Sequence, residues 1–215
     1  MSRHFDLSLY LVTDPNLGGG RDLCEIVEAA ISGGVTIVQL RDPQAGTRKL
    51  VEMAERLLQV TRAHSVPLLI NDRVDVALAA GADGVHLGQS DMQADQARAL
   101  LGPNAIIGLS VGSAAEYAAS LQLLTNVDYL GTGPAYATST KADAGNAIGE
   151  AGITAMKARA TLPVVAIGGI DAARTAGLIR AGADGVAVVS AIIAAADPHA
   201  AAIAIKTEIA KGRTA

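Results

Sequence analysis

The sequence contains no tryptophan, and aromatic residues make up only 2% of its 215 residues. Aromatic platforms for stacking nucleic-acid bases are therefore scarce, and a net charge of −4 leaves no excess of basic residues for phosphate backbones. We expect no nucleic-acid partner. Because half of the residues are hydrophobic, the core must consist mainly of Ala, Val, Ile, Leu and Gly. That composition favours helices packed closely on a sheet of β-branched strands.

Cysteine and long apolar segments are also nearly missing. Cys24 is the only cysteine, which excludes an intramolecular disulfide, and its apolar helical context CEIVEAAI indicates a small buried side chain rather than a nucleophile. No apolar run reaches the ~18 residues of a membrane span. The segment MSRHFDLSLY has neither the apolar centre nor the cleavage site of a signal peptide. We therefore expect a cytoplasmic protein without a membrane partner.

Short β-branched runs alternate with helical patterns along the whole chain. Eight such alternations without a linker or a change in composition predict a single domain over residues 1–215, a (β/α)₈ TIM barrel near its minimum length. A doubly wound open sheet is the alternative, but it usually has fewer strands and a clear glycine fingerprint after the first one. The predicted strands are LSLYLVTD (7–14), TIVQLRD (36–42), PLLIND (67–72), GVHLG (84–88), AIIGLSV (105–111), VDYLGTGP (127–134), PVVAIGGI (163–170) and GVAVVSAI (185–192).

The connecting segments read as amphipathic helices. A further helix begins at Asp171, a good N-cap, and ends near Gly182. The repeat AGADGV, at 80–85 and 181–186, joins a helix end to a strand start twice and marks two copies of one unit. The clearest helix spans 47–64, with an apolar face formed by Leu50, Ala54, Leu57, Leu58 and Thr61.

In a barrel of this kind, chemistry takes place at the carboxyl ends of the strands, and here nearly every strand ends in polar residues or glycine. After strands 7 and 8 come Gly168-Gly169 and Val189-Ser190. Gly-Gly allows a ligand to approach the backbone closely, and loops at this position commonly hold phosphate on N–H groups. The sequence therefore predicts a phosphate site there.

Two aspartates follow neighbouring strands. Asp72 ends strand 3 beside Asn71, and Asp91 follows strand 4. Either aspartate alone could be a helix N-cap, but together they present the oxygen ligands that a hard cation prefers. Mg²⁺ typically uses one or two protein carboxylates and fills its other positions with water and substrate phosphate. The chain has no Cys/His cluster, which argues against Zn²⁺.

The segment GTGPAYATSTKADAG (131–145) is rich in hydrogen-bond donors and lacks apolar periodicity. Its Lys141 and the hydroxyls of Thr138, Ser139 and Thr140, together with Arg41, predict a second anion site large enough for a diphosphate. His86, within GVHLG, is interpreted as a hydrogen-bonded core residue rather than a catalyst.

These residues resemble the thiamine-phosphate synthase family. The resemblance rests on QLRD (39–42), NDRVDVAL (71–78), GVHLGQSD (84–91), GPAYATSTK (133–141), AIGGI (166–170) and VVSAI (188–192), in that order along nearly the whole chain. It implies a transferase that condenses hydroxymethylpyrimidine diphosphate with thiazole phosphate, giving thiamine phosphate and diphosphate. In the family the diphosphate leaves first, and the thiazole nitrogen traps a pyrimidine methylene cation.

Carried over residue by residue, the resemblance implies three groups of site residues. Arg41, Lys141 and Ser110 are implied as catalytic, and Asp72 and Asp91 as ligands of a Mg²⁺ cofactor. The implied partners are small phosphorylated substrates, and a homodimer is one arrangement open to the chain. The implied pyrimidine diphosphate site contains Gln39, Leu40, Arg41, Asp42, Asn71, Ser110 and Lys141, and the implied thiazole phosphate site contains Thr138, Ser139, Thr140, Gly169, Val189 and Ser190.

The sequence departs from the family at Pro43, where a lysine is common, and at Val111-Gly112, where the family often reads Thr-His after the serine. Either Arg48 or Lys49 folds back over the end of strand 2 to supply the missing cation, or both are solvated surface residues. Two other functions stay open: a thiazole tautomerase of similar fold, and a phosphate-binding barrel without catalysis. Neither of these needs the paired aspartates together with the lysine loop.

Overall fold

The computed structural model describes residues 5–138 and 145–214, which form a closed barrel of eight parallel strands. Each strand pairs with the next one along the chain, and β8 returns to pair with β1. The predicted (β/α)₈ barrel is confirmed. The strands are β1 Leu9–Val12, β2 Ile37–Leu40, β3 Leu68–Asn71, β4 Gly84–Leu87, β5 Ile106–Ser110, β6 Tyr129–Thr132, β7 Val164–Ile167 and β8 Gly185–Val188.

Helices follow the strands and form the outer layer. The apolar face predicted for the second helix is buried residue for residue, and Asp171 caps its helix by accepting a hydrogen bond from the amide of Arg174 at 3.0 Å. The helices are α1 Leu23–Ser32, α2 Thr47–Ala63, α3 Val74–Ala80, α4 Ala94–Leu101, α5 Ala114–Ser120, α6 Gly149–Lys157, α7 Ala172–Arg180, α8 Ser190–Ile193 and α9 Pro198–Arg213, with a 3₁₀ turn at Leu124–Asn126.

The predicted strands are all present but shorter than expected, and one end was wrong. Residues 189–192 were predicted as strand, whereas Ser190 begins α8. The extended conformation ends at Val189, which has φ −118° and ψ −85°. A short apolar run such as VVSAI satisfies a buried strand and a buried helix equally, so periodicity could not locate this boundary.

Two separate apolar layers lie on either side of the barrel wall. The larger one joins the outward side chains of the strands to the helices, and Leu40 belongs to it. The smaller one fills the barrel interior with residues from every strand except β4, including Tyr10 and Tyr129. The side chain of Leu40 therefore faces the helices and not the interior of the barrel.

The repeated AGADGV segments build equivalent αβ turns, as predicted. Gly81 and Gly182 adopt positive φ angles of 67° and 104°, which favour glycine. The aspartate of each repeat then accepts a backbone hydrogen bond from the first residue of the preceding strand: Asp83 from Leu68 at 2.9 Å, and Asp184 from Val164 at 2.7 Å. Each turn therefore ties the start of one strand to its neighbour.

Helix α9 covers the junction between the first and last units by packing on α1 and α7. Glycines allow this close approach. A Cβ on Gly33 would lie 2.8 Å from Cβ of Ala202, and one on Gly212 would lie 2.7 Å from Cβ of Ile179. Arg213, at the end of α9, donates a hydrogen bond to the hydroxyl of Ser8 just before β1.

Candidate active site

The end of β2 is held by hydrogen bonds to the end of β1 and within its own loop. The amide of Arg41 donates to Oγ1 of Thr13 at 2.9 Å, which fixes the backbone at this strand end against β1. The carboxylate of Asp42 accepts from the amides of Gln44 and Ala45, both at 3.1 Å. Asp42 therefore organises its own loop, and Arg41 is partly exposed beside it.

Lys49 reaches back toward this strand end. Its Nζ lies 3.6 Å from Oδ2 of Asp42, although 69% of the side chain remains exposed. Arg48 is exposed, and the described residues provide no hydrogen bond or ion pair for its side chain. A second cation, Arg73, lines the same small cavity as Pro43, Asn71 and Asp72. Lys49 therefore lies beside Asp42, the residue before Pro43, whereas Arg73 shares a cavity with Pro43 but is already paired with Asp75.

Asn71 and the two predicted metal ligands lie at the ends of adjacent strands. Asp72 has a left-handed backbone, with φ 61°, and its amide donates to the carbonyl of His86 on β4 at 2.9 Å. The side-chain amide of Asn71 donates to Oδ2 of Asp72 at 2.6 Å. Asp91 follows β4, and its Oδ2 accepts from the amide of Gly88 at 2.7 Å. Asp91 does not cap α4, because Gln93 occupies that N-cap position.

The donor set fits Mg²⁺ better than a metal that needs a full protein cage. Among the described residues there is no group of three or more His, Cys, Asp or Glu side chains that could hold a metal ion. Asp72 and Asp91 are two carboxylates at neighbouring strand ends, and one oxygen of each is oriented by a neighbouring N–H group. One or two carboxylates completed by water and substrate phosphate is the usual protein contribution to a Mg²⁺ site.

Two glycines rather than bulky side chains follow β7, and the loop after β6 packs on them. Gly168 and Gly169 both have positive φ, at 100° and 62°. A Cβ on Gly169 would lie 2.5 Å from the carbonyl of Ala137, so residues 134–137 lie directly over these glycines. The amide of Tyr136 donates to the carbonyl of Gly168 at 3.0 Å. Ser190, the first residue of α8, is exposed beside this backbone.

Arg174 connects the loop after β6 to the end of β7. Its guanidinium lies 4.9 Å from the ring centre of Tyr136 and donates to the carbonyl of Gly169 at 2.5 Å. Thr138 is partly buried at the edge of the described part of the loop. Ser139, Thr140 and Lys141 lie outside the described residues, so their predicted roles stay predictions.

A polar chain crosses the barrel interior, and sequence reasoning did not find it. Nε2 of Gln39 donates to the hydroxyl of Tyr10 at 2.6 Å, and that hydroxyl lies 2.9 Å from the hydroxyl of Tyr129. His86 contacts Tyr129 through Nδ1 and Ser110 through Nε2, both at 2.9 Å. His86 is hydrogen-bonded, as interpreted, but it is also part of a line of hydrogen bonds that joins Gln39 to Ser110, both of which were predicted to bind substrate. Period-two alternation along the strands could have placed both tyrosines inward.

Burial keeps the hydroxyl groups of Tyr10 and Tyr129 protonated. It raises the pKa of Tyr10 and that of Tyr129 above the usual tyrosine range, because a phenolate inside the barrel would lack solvation. Burial also raises the pKa of the Cys24 thiol, which is half-buried rather than fully buried as expected. A raised pKa disfavours the thiolate, in agreement with a structural cysteine.

Two cavities border Leu40 and Asp42 at the end of β2. The larger, about 410 Å³, lies between the loops that follow β1 and β2 and includes Asp14, Arg41 and Lys49 in its lining. The smaller, about 160 Å³, lies between the loops that follow β2 and β3.

Within the described part of the chain, no helix is both long and apolar enough to cross a membrane.

The profile of a family described as thiamine monophosphate synthase matches residues 9–192. The chain belongs to the thiamine monophosphate synthase family. The matched residues include all eight strands, and with them the strand ends that form the candidate site. The resemblance inferred from the motifs is confirmed.

Individual members of the thiamine monophosphate synthase family match over nearly their full length. A thiamine-phosphate synthase from Xanthobacter autotrophicus is 60% identical over 213 residues, 99% of this chain and 100% of the relative. One from Azorhizobium caulinodans is 54% identical with the same coverage. A solved structure, a thiamine phosphate pyrophosphorylase from Pyrococcus furiosus, aligns with a TM-score of 0.85 at 37% identity and covers 96% of both chains.

Proposed function

We propose that this chain is a thiamine-phosphate synthase, a transferase that joins hydroxymethylpyrimidine diphosphate to thiazole phosphate. The C–O bond between the pyrimidine methylene and the diphosphate breaks, and a C–N bond to the thiazole nitrogen forms. The products are thiamine phosphate and diphosphate. The observation that supports this most strongly is the 60% identity to a thiamine-phosphate synthase along its entire length.

We assign the pyrimidine diphosphate to the ends of β2, β3 and β5. Gln39 and Ser110 face the barrel interior at two of these ends, and Asn71 lies at the third. Arg41 and Lys141 are the cations assigned to the diphosphate. The side chain of Leu40 faces the outer core, so its contribution would come through its backbone, and Asp42 would act by shaping the β2 loop.

Asp72 and Asp91 are the residues that would hold Mg²⁺. When bound, the ion would add positive charge that stabilises the negative charge developing on the departing diphosphate. The hydrogen bond from Asn71 to Asp72 orients that carboxylate, and Gly88 orients Asp91 in the same way. These contacts would hold the two carboxylates in place before any substrate arrives.

Thiazole phosphate is assigned to the ends of β7 and β8. Gly169 allows the phosphate to approach the backbone, and Val189 and Ser190 would supply further N–H and O–H donors. Thr138, Ser139 and Thr140 would close over the phosphate from the loop after β6. The mechanism requires no protein nucleophile, because the thiazole nitrogen attacks the cation. It does require exclusion of water, which we assign to the same loop.

Diphosphate release tests the reaction directly. The purified chain is mixed with both substrates and Mg²⁺, with separate samples that lack thiazole phosphate or contain a chelator in excess. We expect diphosphate and thiamine phosphate in equal amounts only in the complete mixture. A thiazole tautomerase would convert its thiazole substrate without releasing diphosphate, and a binding barrel would do neither. Either result would reject the proposed function.

The wider predictions about partners remain to be measured. The absence of nucleic-acid and membrane partners, the cytoplasmic location and a homodimer are all still predictions. Light scattering on the purified chain measures its mass in solution directly, and a mass near 43 kDa, about twice that of one 21.7-kDa chain, would support the homodimer.

A further inference from the structure

Five polar side chains inside the barrel form an unbroken line of hydrogen bonds from β2 to β5. Gln39 and Ser110 are its ends, and Tyr10, Tyr129 and His86 lie between them at successive distances of 2.6, 2.9, 2.9 and 2.9 Å. Gln39 and both tyrosines are almost completely buried. Buried hydroxyl and amide groups must find partners, so the hydrogen atoms along this line cannot be arranged independently.

The number of hydrogen atoms on each group determines which group donates to the next along this line. A nitrogen of Gln39 donates to the hydroxyl of Tyr10, which owns a single hydrogen and has the hydroxyl of Tyr129 as its next neighbour. If Tyr10 donates to Tyr129, then Tyr129 must donate to Nδ1 of His86. An imidazole that accepts at Nδ1 carries its hydrogen on Nε2, which points at Ser110. The hydroxyl hydrogen of Ser110 is then available to another acceptor.

We propose that Tyr10, Tyr129 and His86 are positioning residues whose directed hydrogen-bond chain holds His86 as the Nε2–H tautomer and presents Ser110 to the pyrimidine ring as a donor. This inference rests on the proposed function for its substrate. At the other end of the chain, Oε1 of Gln39 remains as an acceptor. An aminopyrimidine offers the complementary pair, because its ring nitrogens accept and its exocyclic amine donates.

Glycines on β5 and β6 leave room in the barrel for these hydrogen-bonded side chains. A Cβ on Gly108 would overlap the hydroxyl of Tyr129 and Nδ1 of His86, and one on Gly131 would lie 2.8 Å from Cε1 of His86. The rings of His86 and Tyr129 lie 5.5 Å apart, and those of Tyr10 and Tyr129 5.9 Å apart. Packing therefore holds the three rings in the places that their hydrogen bonds require.

The opposite direction is possible only if donor and acceptor exchange roles in every hydrogen bond of the line at once. An acceptor at position 39 would receive the hydrogen of Tyr10, so Tyr129 would donate to Tyr10 and His86 would donate from Nδ1. Gln39→Glu makes this change with an ionised carboxyl group, which only accepts. The structure thus predicts that a substitution on β2 switches the tautomer of a histidine on β4 without touching it.

Nitrogen NMR of the substrate-free protein tests the chain itself. With ¹⁵N-labelled histidine, at a pH above the ordinary histidine pKa of ~6.5, the shifts of His86 identify which nitrogen carries hydrogen. We expect Nε2–H in the wild type and Nδ1–H in Gln39→Glu, measured where the carbon shift of the new carboxyl group shows that it is ionised. In the double variant Gln39→Glu/Tyr10→Phe the chain is broken, and we expect Nε2–H again.

Three NMR results would overturn the proposal: a mixture of tautomers in the wild type, an unchanged tautomer in folded Gln39→Glu, or Nδ1–H persisting in the double variant. If Gln39→Glu does not fold, the kinetics of Tyr10→Phe and Tyr129→Phe decide. Each of these variants keeps the ring and removes one link: Tyr129→Phe removes the donor to Nδ1 of His86, and Tyr10→Phe removes the acceptor that orients Gln39. The loss of one hydrogen bond predicts a roughly 3- to 10-fold decrease in kcat/KM for the pyrimidine diphosphate. KM for thiazole phosphate should not change.

Tyr117→Phe is the matched control. Tyr117 is also buried and its hydroxyl donates one hydrogen bond, to the carbonyl of Arg159 at 2.9 Å, but it lies outside the barrel. We expect wild-type kinetics for it, and equal losses in all three variants would refute a specific role for the chain. The NMR samples contain no substrate. They therefore test the direction of the hydrogen bonds even if the wild type releases no diphosphate and the proposed function fails.

Discussion

At the scale of single residues, the carboxylates at the strand ends differ in how many hydrogen bonds they accept from the protein. Asp42 accepts two backbone hydrogen bonds and faces Lys49, so its oxygens are largely committed to the β2 loop. Asp91 accepts one backbone hydrogen bond, from Gly88. A carboxylate that needs only one protein contact to fix its orientation keeps acceptor positions for a cation.

Asp72→Asn and Asp91→Asn should each raise the Mg²⁺ concentration required for half-maximal diphosphate release, by about 10-fold or more. Each change removes a negative charge from the proposed ligand set while keeping the side-chain shape. Activity is titrated with Mg²⁺ for both variants and for Asp95→Asn, an exposed aspartate on α4. If both site variants match the Asp95→Asn curve, the ligand assignment is wrong.

Lys49→Ala should raise KM for the pyrimidine diphosphate about 2- to 5-fold at low ionic strength, and less in salt, because the exposed ammonium acts through a screened charge. Arg48→Ala is the matched variant, since the adjacent Arg48 has no partner among the described residues. We expect it to behave like the wild type. Equal KM values for all three proteins, with tighter binding in Pro43→Lys, would mean that this site works with one cation fewer.

At the scale of elements, the loop after β6 and the end of β7 form one packed unit. Residues 134–137 lie on Gly168 and Gly169, and Arg174 of α7 joins the loop to the strand end by contacting Tyr136 and the carbonyl of Gly169. The position of the loop therefore depends on glycine at the strand end. Any side chain there would have to displace the loop as well as fill the space proposed for phosphate.

Gly169→Ala should raise KM for thiazole phosphate by about 10-fold or more, because the new Cβ meets the carbonyl of Ala137 at 2.5 Å and φ is 62°. KM for the pyrimidine diphosphate should change little. Gly46→Ala is the control, because nothing lies within 4 Å of its Cβ position and its φ is −70°. Steady-state kinetics with each substrate varied in turn measures both constants. Equal increases for the two substrates would argue against separate anion sites.

The elements were largely predictable because their signals are local. The apolar face of α2 and the N-cap Asp171 follow from residues a few positions apart, and both were located correctly. Contacts between elements were not predictable in this way. The stacking of Arg174 on Tyr136 joins residues 38 positions apart (174 − 136), and nothing in either local sequence identifies its partner.

At the scale of the whole molecule, closure of the barrel brings together residues that sequence analysis could list only as separate strand ends. The eight alternations and the repeated turns were enough to predict the closed sheet, and hence that the strand ends share one face. They were not enough to predict the chain from Gln39 to Ser110, which depends on side chains from five strands meeting inside the barrel. His86 was interpreted as a core residue for that reason.

Gly33→Ala should lower the free energy of unfolding by about 1–3 kcal/mol, the usual cost of overfilling a packed contact. The new methyl group would meet the backbone carbonyl of His199 and Cβ of Ala202 where α9 covers the junction of the first and last units. Urea unfolding followed by circular dichroism measures the change against the wild type. A midpoint equal to that of the wild type would show that α9 can shift on α1 at no cost.

The distribution of aromatic side chains has a spectroscopic consequence. The chain has no tryptophan, four tyrosines and one phenylalanine. Tyr10, Tyr129 and Phe5 form one cluster within the barrel, with ring centres 5.9 and 6.3 Å apart. Fixed, closely spaced rings dominate circular dichroism in the near ultraviolet, a signal that disappears when tertiary packing is lost. In this protein that signal therefore reports mainly on the barrel interior, and it can follow substrate binding there without an added label.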